Sequence, residues 1–307
     1  MARNIHIAVL NVDIPARSLY EARGLCSAHF RDVLQDAAST LHTTESDSIT
    51  ISVTPYDVRG GHYPELSKLR TPQTGPCDDC TIDAVLITGG TPAVYEIAER
   101  PWMQTLAKFI RTVFDSFPMV RILGTCFGHQ LIGHALLRQA GDAERDVFIE
   151  KCPLGMEVGI HTVRLDRAFT QAFPLTVGSL PRSEMRIQMF HSDRVLAVPK
   201  GSLSRLADVP VSLPAPWVNV GSTPACPIQG LYYPQRVLSV QGHYELDAFG
   251  VKGMCHESAQ LLGWKDSKLA VFLEQVGADA EGVPNEARVF ASTVVCFLAG
   301  LEEYASA

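Results

Sequence analysis

A cysteine with glycine at both second neighbours, Gly124-Thr-Cys126-Phe-Gly128, follows the apolar run Val120-Arg-Ile-Leu. G-x-C-x-G after a strand and before a helix is the pattern of a nucleophile elbow, with sulfur in place of oxygen. Such a turn holds its central residue in a strained backbone conformation, so the residues two before and two after must be small. The helix N-terminus beyond it offers unpaired N–H groups and the positive end of a dipole. Both favour the thiolate, the reactive form of cysteine. Cys126 is therefore the candidate nucleophile. The plainer alternative, a buried structural cysteine in a tight turn, is disfavoured by the strand and helix patterns on either side.

A thiol that makes and breaks amides needs a base to take its proton and return it to the leaving amine, and that base needs an orienting group. His243 and Glu245 are the best pair, in Val237-Leu-Ser-Val-Gln-Gly242-His243-Tyr-Glu245. In extended backbone, residues i and i+2 point the same way, so the Glu245 carboxylate can reach the far nitrogen of His243. Ten histidines dilute any one of them, and a His beside a Glu is more often a surface pair. His129 and His134 fall on the helix after the elbow and read as packing or solvent-facing, and His191 ends another apolar run. An acyl-transfer site also needs oxyanion donors. Phe127 offers the backbone N–H after the nucleophile, and the loop Gly89-Gly90-Thr-Pro92 offers a second, although a plain glycine turn explains that loop equally well.

These residues must be positioned by a substantial fold. The 307 residues, 46% hydrophobic and 19% charged, can bury one large core. The first half alternates β-rich apolar runs with amphipathic stretches, which predicts an α/β, doubly wound, flavodoxin-like and mostly parallel sheet. Expected strands are Ile5 to Asn11, Ile49 to Thr54, Ala84 to Thr88 and Val120 to Leu123. Expected helices are Arg17 to Ala38, Trp102 to Phe117 and Phe127 to Leu137. Asp57 to Cys80 reads as a Gly/Pro-rich loop. Beyond Gly141 come shorter runs, Met156 to Val163, Arg186 to Phe190, Val195 to Val198 and Val237 to Gln241, expected to extend the sheet and frame the site. Asn285 to Tyr304 fits a closing helix. The organisation expected is a single domain over 1–307, with 246–307 a helical C-terminal extension.

A net charge of -7 and no basic run argue against nucleic acid as partner. The short apolar stretch at Ile5 to Val12 reads as a first strand and no run reaches spanning length, so no membrane partner is expected and a cytoplasmic location is the default. The eight cysteines are scattered and read as reduced thiols. Cys77-Asp-Asp-Cys80 has C-x-x-C spacing but lacks a second pair, so neither a metal nor a cofactor is expected.

The glycine pair ending a strand, then G-x-C-x-G-x-Q, then H-x-E resemble, in order and spacing, the class I glutamine amidotransferase family over roughly residues 5 to 250. That resemblance implies a Cys126, His243 and Glu245 triad, a γ-glutamyl thioester on Cys126, and an oxyanion hole from Gly90 and Phe127. It also implies that Gln130 helps hold the glutamyl portion of the substrate, and that His191 and Ser192, in the family's H-x-D-x-V segment, line the substrate site. Tyr244 stands where the family usually has Pro, which predicts a less rigid loop.

No P-loop, dinucleotide fingerprint or second large domain accompanies these motifs. The chain is expected either to act alone as a thiol hydrolase on a small-molecule γ-glutamyl substrate such as a glutathione-type conjugate, or to serve a separate synthetase subunit as its glutaminase. The first is preferred. A noncatalytic regulatory protein on the same fold would predict loss of the triad. The related cysteine-elbow chaperone and glyoxalase-like proteins generally lack the late H-x-E.

Overall fold

The computed structural model describes residues 3–41, 48–74, 81–138, 144–202, 211, 213–277 and 286–303. Its centre is a sheet of seven strands: β1 (Arg3–Asn11), β2 (Ile49–Asp57), β3 (Ala84–Ile87), β4 (Arg121–Thr125), β9 (Val218–Asn219), β11 (Gly230–Tyr233) and β12 (Val237–Val240). Their order is β2-β1-β3-β4-β12-β11-β9. The first five in that order pair in parallel, and β11 runs antiparallel to both of its neighbours. The fold is thus α/β with a mostly parallel, doubly wound sheet, as the alternating pattern predicted. The central strands β3 and β12 are buried along their whole length, which explains why both read as continuous apolar runs.

Alternation along β1 divides the core in two. Ile5, Ile7 and Val9 join one apolar cluster, while Ala8 and Leu10 join the other. The first face is covered by α2 (Cys26–Thr40), through Phe30 and Leu34, and by α8 (Ala287–Ala299), through Phe290, Val294 and Phe297. The second is covered by α3 (Pro101–Ser116) and α4 (Phe127–Ile132).

Several expected boundaries shift for identifiable reasons. The stretch expected as one helix from Arg17 to Ala38 is two, α1 (Arg17–Arg23) and α2, because Gly24 at φ 78 leaves the helical region. The helix after the elbow holds α geometry only to Ile132, and Gly133–Arg138 continues as a π-turn. The second half extends the main sheet only through β9, β11 and β12. Strands β6 (Glu157–Leu165), β7 (Glu184–His191) and β10 (Gly221–Ser222) form a separate three-stranded sheet, and β5 (Arg145–Lys151) pairs with β8 (Asp193–Pro199). These smaller sheets stand beside the C-terminal end of the main one, and a short helix, α5 (Arg167–Ala172), follows β6.

After the H-x-E segment the chain forms α6 (Ala248–Leu262), α7 (Asp266–Val276) and α8. Asp247 caps α6 through Gly250 N–H and pairs with Arg23 at 2.6 Å, tying α6 to α1. Glu302 accepts from Tyr232 Oη at 2.8 Å and from Gln235 N–H at 3.0 Å, which fastens the end of the described chain to β11.

Candidate active site

The sheet order reverses direction between β1 and β3, and the carboxyl ends of β1, β3, β4 and β12 open onto one crevice, the usual ligand position in an open α/β sheet. Cys126 follows β4 at φ 52 and ψ -108, a strained conformation for a side-chain-bearing residue. The backbone there folds back so tightly that neither flanking glycine has room for a Cβ. One on Gly124 would stand 2.7 Å from the Gly128 carbonyl carbon, and one on Gly128 would stand 2.3 Å from the Ile87 oxygen. The elbow inferred from the residues is therefore present in three dimensions.

β12 lies beside β4 and delivers the second half of the site. Thr125 pairs in register with Val240, and Cys126 N–H donates to Val240 O at 2.9 Å. Three residues on, His243 N–H donates to Gln188 O of β7 at 2.8 Å. His243 Nδ1 meets Glu245 Oε1 at 2.7 Å, with the side chains 4% and 6% exposed. Burial pushes the His243 imidazole down, but the Glu245 carboxylate and the Cys126 thiol outweigh it and raise it to about 10. Such a pair holds the ring in one orientation.

Tyr244 faces the opposite way, as alternation requires. Its ring is buried against Phe30 and Phe290, with centroids 5.5 and 5.4 Å away. Aromatic packing thus holds Tyr244 on the face opposite His243 and Glu245.

Gly90 and Phe127 both sit at this crevice, on the β3 loop and the first turn of α4. The β3 loop is tethered by Val12 N–H to Thr88 Oγ1 at 2.9 Å, and Asp13 Oδ2 accepts from the Thr91 N–H and hydroxyl. Gly89, read from the sequence only as part of the donor loop, packs its bare Cα on the site: a Cβ there would lie 3.2 Å from His243 Cε1 and 3.5 Å from Cys126 Cβ.

Gln130 and His191, which the resemblance puts at the substrate, both bond within the protein. Gln130 is buried, and its Nε2 donates to Asp193 O and to Gln241 Oε1, each at 3.1 Å. His191 puts Nε2 3.0 Å from Glu157 Oε2 and Nδ1 3.0 Å from Asp193 O. Both side chains are occupied by the protein's interior. Ser192 remains partly exposed, its hydroxyl 3.1 Å from Asp193 Oδ1. Glu157 was missed by the sequence reading. A lone carboxylate inside an apolar strand was the available signal, since a buried charge requires a partner. Cys77 and Cys80 lie outside the described residues.

A cavity of about 740 Å³ occurs elsewhere, lined by Asp166, Trp217, Asn219 and Thr223 among others, and none of Cys126, His243 and Glu245 lines it. Chemistry rather than volume locates the candidate site.

Fold and site together define an α/β protein with a cysteine elbow and a buried imidazole–carboxylate pair beside it. No protein-family model matches the chain. A glutamine amidotransferase-like protein of Schizosaccharomyces pombe is 28% identical over 249 residues, spanning 81% of this chain and 82% of that protein. A glutamine amidotransferase-named protein of Saccharomyces cerevisiae is 26% identical over 63% of this chain and 61% of its own length. In fold, the chain resembles the crystal structure of a glutamine amidotransferase from Thermotoga maritima, with a TM-score of 0.59, 17% identity, and coverage of 96% and 98% of the two chains. The chain is thus similar in sequence to glutamine amidotransferase-like proteins over most of its length, and it shares the α/β fold of a solved glutamine amidotransferase. No helix among the described residues is long and apolar enough to cross a membrane.

Proposed function

We propose that the chain is a thiol hydrolase that cleaves a γ-glutamyl amide bond and acts alone on a small molecule of the glutathione-conjugate type. The observation that carries this reading is the 2.7 Å contact between His243 and Glu245, fully enclosed beside a strained Cys126. In the proposed mechanism the proton shared by Cys126 and His243 rests on the imidazole, and Cys126 Sγ attacks the γ-carbonyl carbon. The oxyanion is received by backbone N–H groups of Gly90 and Phe127. Collapse breaks the C–N bond as the His243 imidazolium protonates the departing amine, leaving a γ-glutamyl thioester. Water then attacks the thioester, His243 takes its proton, and the thiol and free glutamate leave. Glu245 keeps the imidazole oriented and stabilises its charge throughout.

The test follows glutamate release from glutamine and from a γ-glutamyl-cysteinyl conjugate, with the Cys126→Ala protein as control. Conjugate cleavage that disappears in Cys126→Ala is the expected result. Cleavage of glutamine alone, or silence on both until a synthetase is added, would make the chain an amidotransferase's glutaminase instead. Hydrolysis retained in Cys126→Ala would remove the mechanism.

A further inference from the structure

The Cys126 elbow is flanked by a second buried carboxylate–imidazole contact that the mechanism above does not use. Glu157 of β6 and His191 of β7 are direct cross-strand partners. Their side chains are 5% and 2% exposed, with Oε2 and Nε2 3.0 Å apart. The other ring nitrogen of His191 lies 3.0 Å from the Asp193 carbonyl oxygen. A carboxylate and a carbonyl oxygen can only accept. Both ring nitrogens therefore face oxygen atoms of the protein itself.

Glu157 is equipped as the matching anion. Its Oε2 also accepts from Gln229 Nε2 at 2.8 Å, and His161 Nδ1 stands 3.6 Å from Oε1. Burial pushes the Glu157 carboxyl up, but the bond and charge of His191 outweigh it and hold it below its ordinary value. The other titratable neighbours of the pair are Asp193 on β8, His129 on α4 and Cys226 in the loop before β11. Charges enclosed this deeply are a liability unless fully bonded, and an apolar pair would serve packing alone at least as well.

The pair is joined to the elbow from two sides. The Asp193 carbonyl that receives His191 also receives Gln130 Nε2 at 3.1 Å. Gln130 sits one helical turn past the nucleophile, with its own N–H bonded to Cys126 O at 3.1 Å. On β7, the carbonyl of Phe190, next to His191, lies 3.8 Å from Cys126 Sγ. The carbonyl of Gln188, two residues earlier, accepts the His243 N–H. β7 thus touches the thiol and the His243 backbone, while Asp193 at the start of β8 holds the helix that follows the nucleophile.

We infer that Glu157 and His191 form a buried carboxylate–imidazole clamp that positions the Cys126 elbow, as positioning residues rather than substrate contacts. The role, though not the pair, rests on Cys126 being the nucleophile. The clamp fixes β7 and the Asp193 carbonyl together, and through them the thiol, His243 and Gln130. Misplacement of a reacting group by a fraction of an ångström is enough to slow its chemistry.

The experiment uses the full chain and two readouts. Nitrogen-15 NMR of the His191 ring should show its signals displaced in Glu157→Gln relative to the wild type. The rate at which iodoacetamide alkylates Cys126, followed by peptide mass spectrometry, should fall about tenfold in Glu157→Gln at unchanged fold. Gln130→Leu, which cuts the link to Asp193 and leaves the pair intact, should slow alkylation while keeping the wild-type ring signals. Unchanged His191 ring signals in Glu157→Gln overturn the clamp, and so does wild-type alkylation in a folded Glu157→Gln or Gln130→Leu protein. Hydrolysis retained in Cys126→Ala would instead defeat the functional reading and leave the ring signal unchanged, so the two failures are distinguishable.

Discussion

Replacing Glu245 by Gln should weaken the fold in a manner that depends on pH in one direction only. His243 is enclosed, so burial favours its neutral form, yet the carboxylate at 2.7 Å and the neighbouring thiol raise its proton affinity to about 10. At an effective dielectric near 20, two charges about 4 Å apart interact by about 4 kcal/mol, equivalent to roughly 3 pKa units. Without the carboxylate, burial is opposed by the Cys126 thiol alone and the proton affinity of the imidazole falls towards its unfolded value of about 6.5. In the wild type the folded value lies above the unfolded one. The stability drawn from this proton is therefore complete below pH 6.5 and lost as pH rises towards 10. Glu245→Gln should thus be less stable than wild type by about 3–5 kcal/mol at pH 6, the usual consequence of breaking a buried pair. The gap should narrow by roughly 1 kcal/mol per pH unit between pH 7 and 9. Urea unfolding of both proteins at pH 6, 7, 8 and 9 measures it, and titrations common to both cancel in the difference. A gap that stays constant or widens with pH would show that His243 does not hold its proton through Glu245.

Gly128→Ala would bring a methyl group to 2.3 Å from the Ile87 oxygen, a backbone atom of β3 that cannot move alone. The variant should lose about 3 kcal/mol or more in denaturant unfolding, and stability within about 0.5 kcal/mol of wild type would contradict the elbow packing. His129 is fully buried with Nδ1 2.9 Å from Ser239 Oγ, and burial lowers its proton affinity to about 3. Its unfolded form binds a proton below about pH 6.5 and its folded form does not. Stability should therefore fall by up to about 1.4 kcal/mol per pH unit as pH drops from 6.5, and His129→Asn should flatten that slope.

How far each feature could be read from the sequence follows the range of the interaction behind it. The elbow was legible because its cause is local: a strained turn, two small neighbours, and a strand and helix of opposite periodicity. The His243–Glu245 contact was legible because alternation acts over two residues. The site's other polar members depend on partners far along the chain. Gln130 and His191 looked like substrate contacts, since nothing in residues 124–130 or 190–193 indicates that Glu157, Gln229 and Gln241 enclose them. Likewise the break at Gly24 turns on one backbone angle that the surrounding helical pattern masks, and the two small sheets of the second half carry the same alternating pattern as strands that join the main sheet.

The meeting of residues 126 and 243 is itself a consequence of topology. β12 enters the sheet parallel to β4, after more than a hundred intervening residues, and only a parallel neighbour places its carboxyl end beside the carboxyl end of β4. The register Val240 to Thr125, fixed by the Cys126 N–H bond to Val240 O, sets the histidine three residues beyond the strand level with the thiol. A slip of one residue would exchange the faces of β12, taking Leu238 and Val240 out of one buried cluster and Ser239 away from His129. The apolar side chains of β12 therefore protect the register of the candidate site. Substitutions that soften that strand should reach the chemistry through alignment, even where they leave His243 and Glu245 untouched.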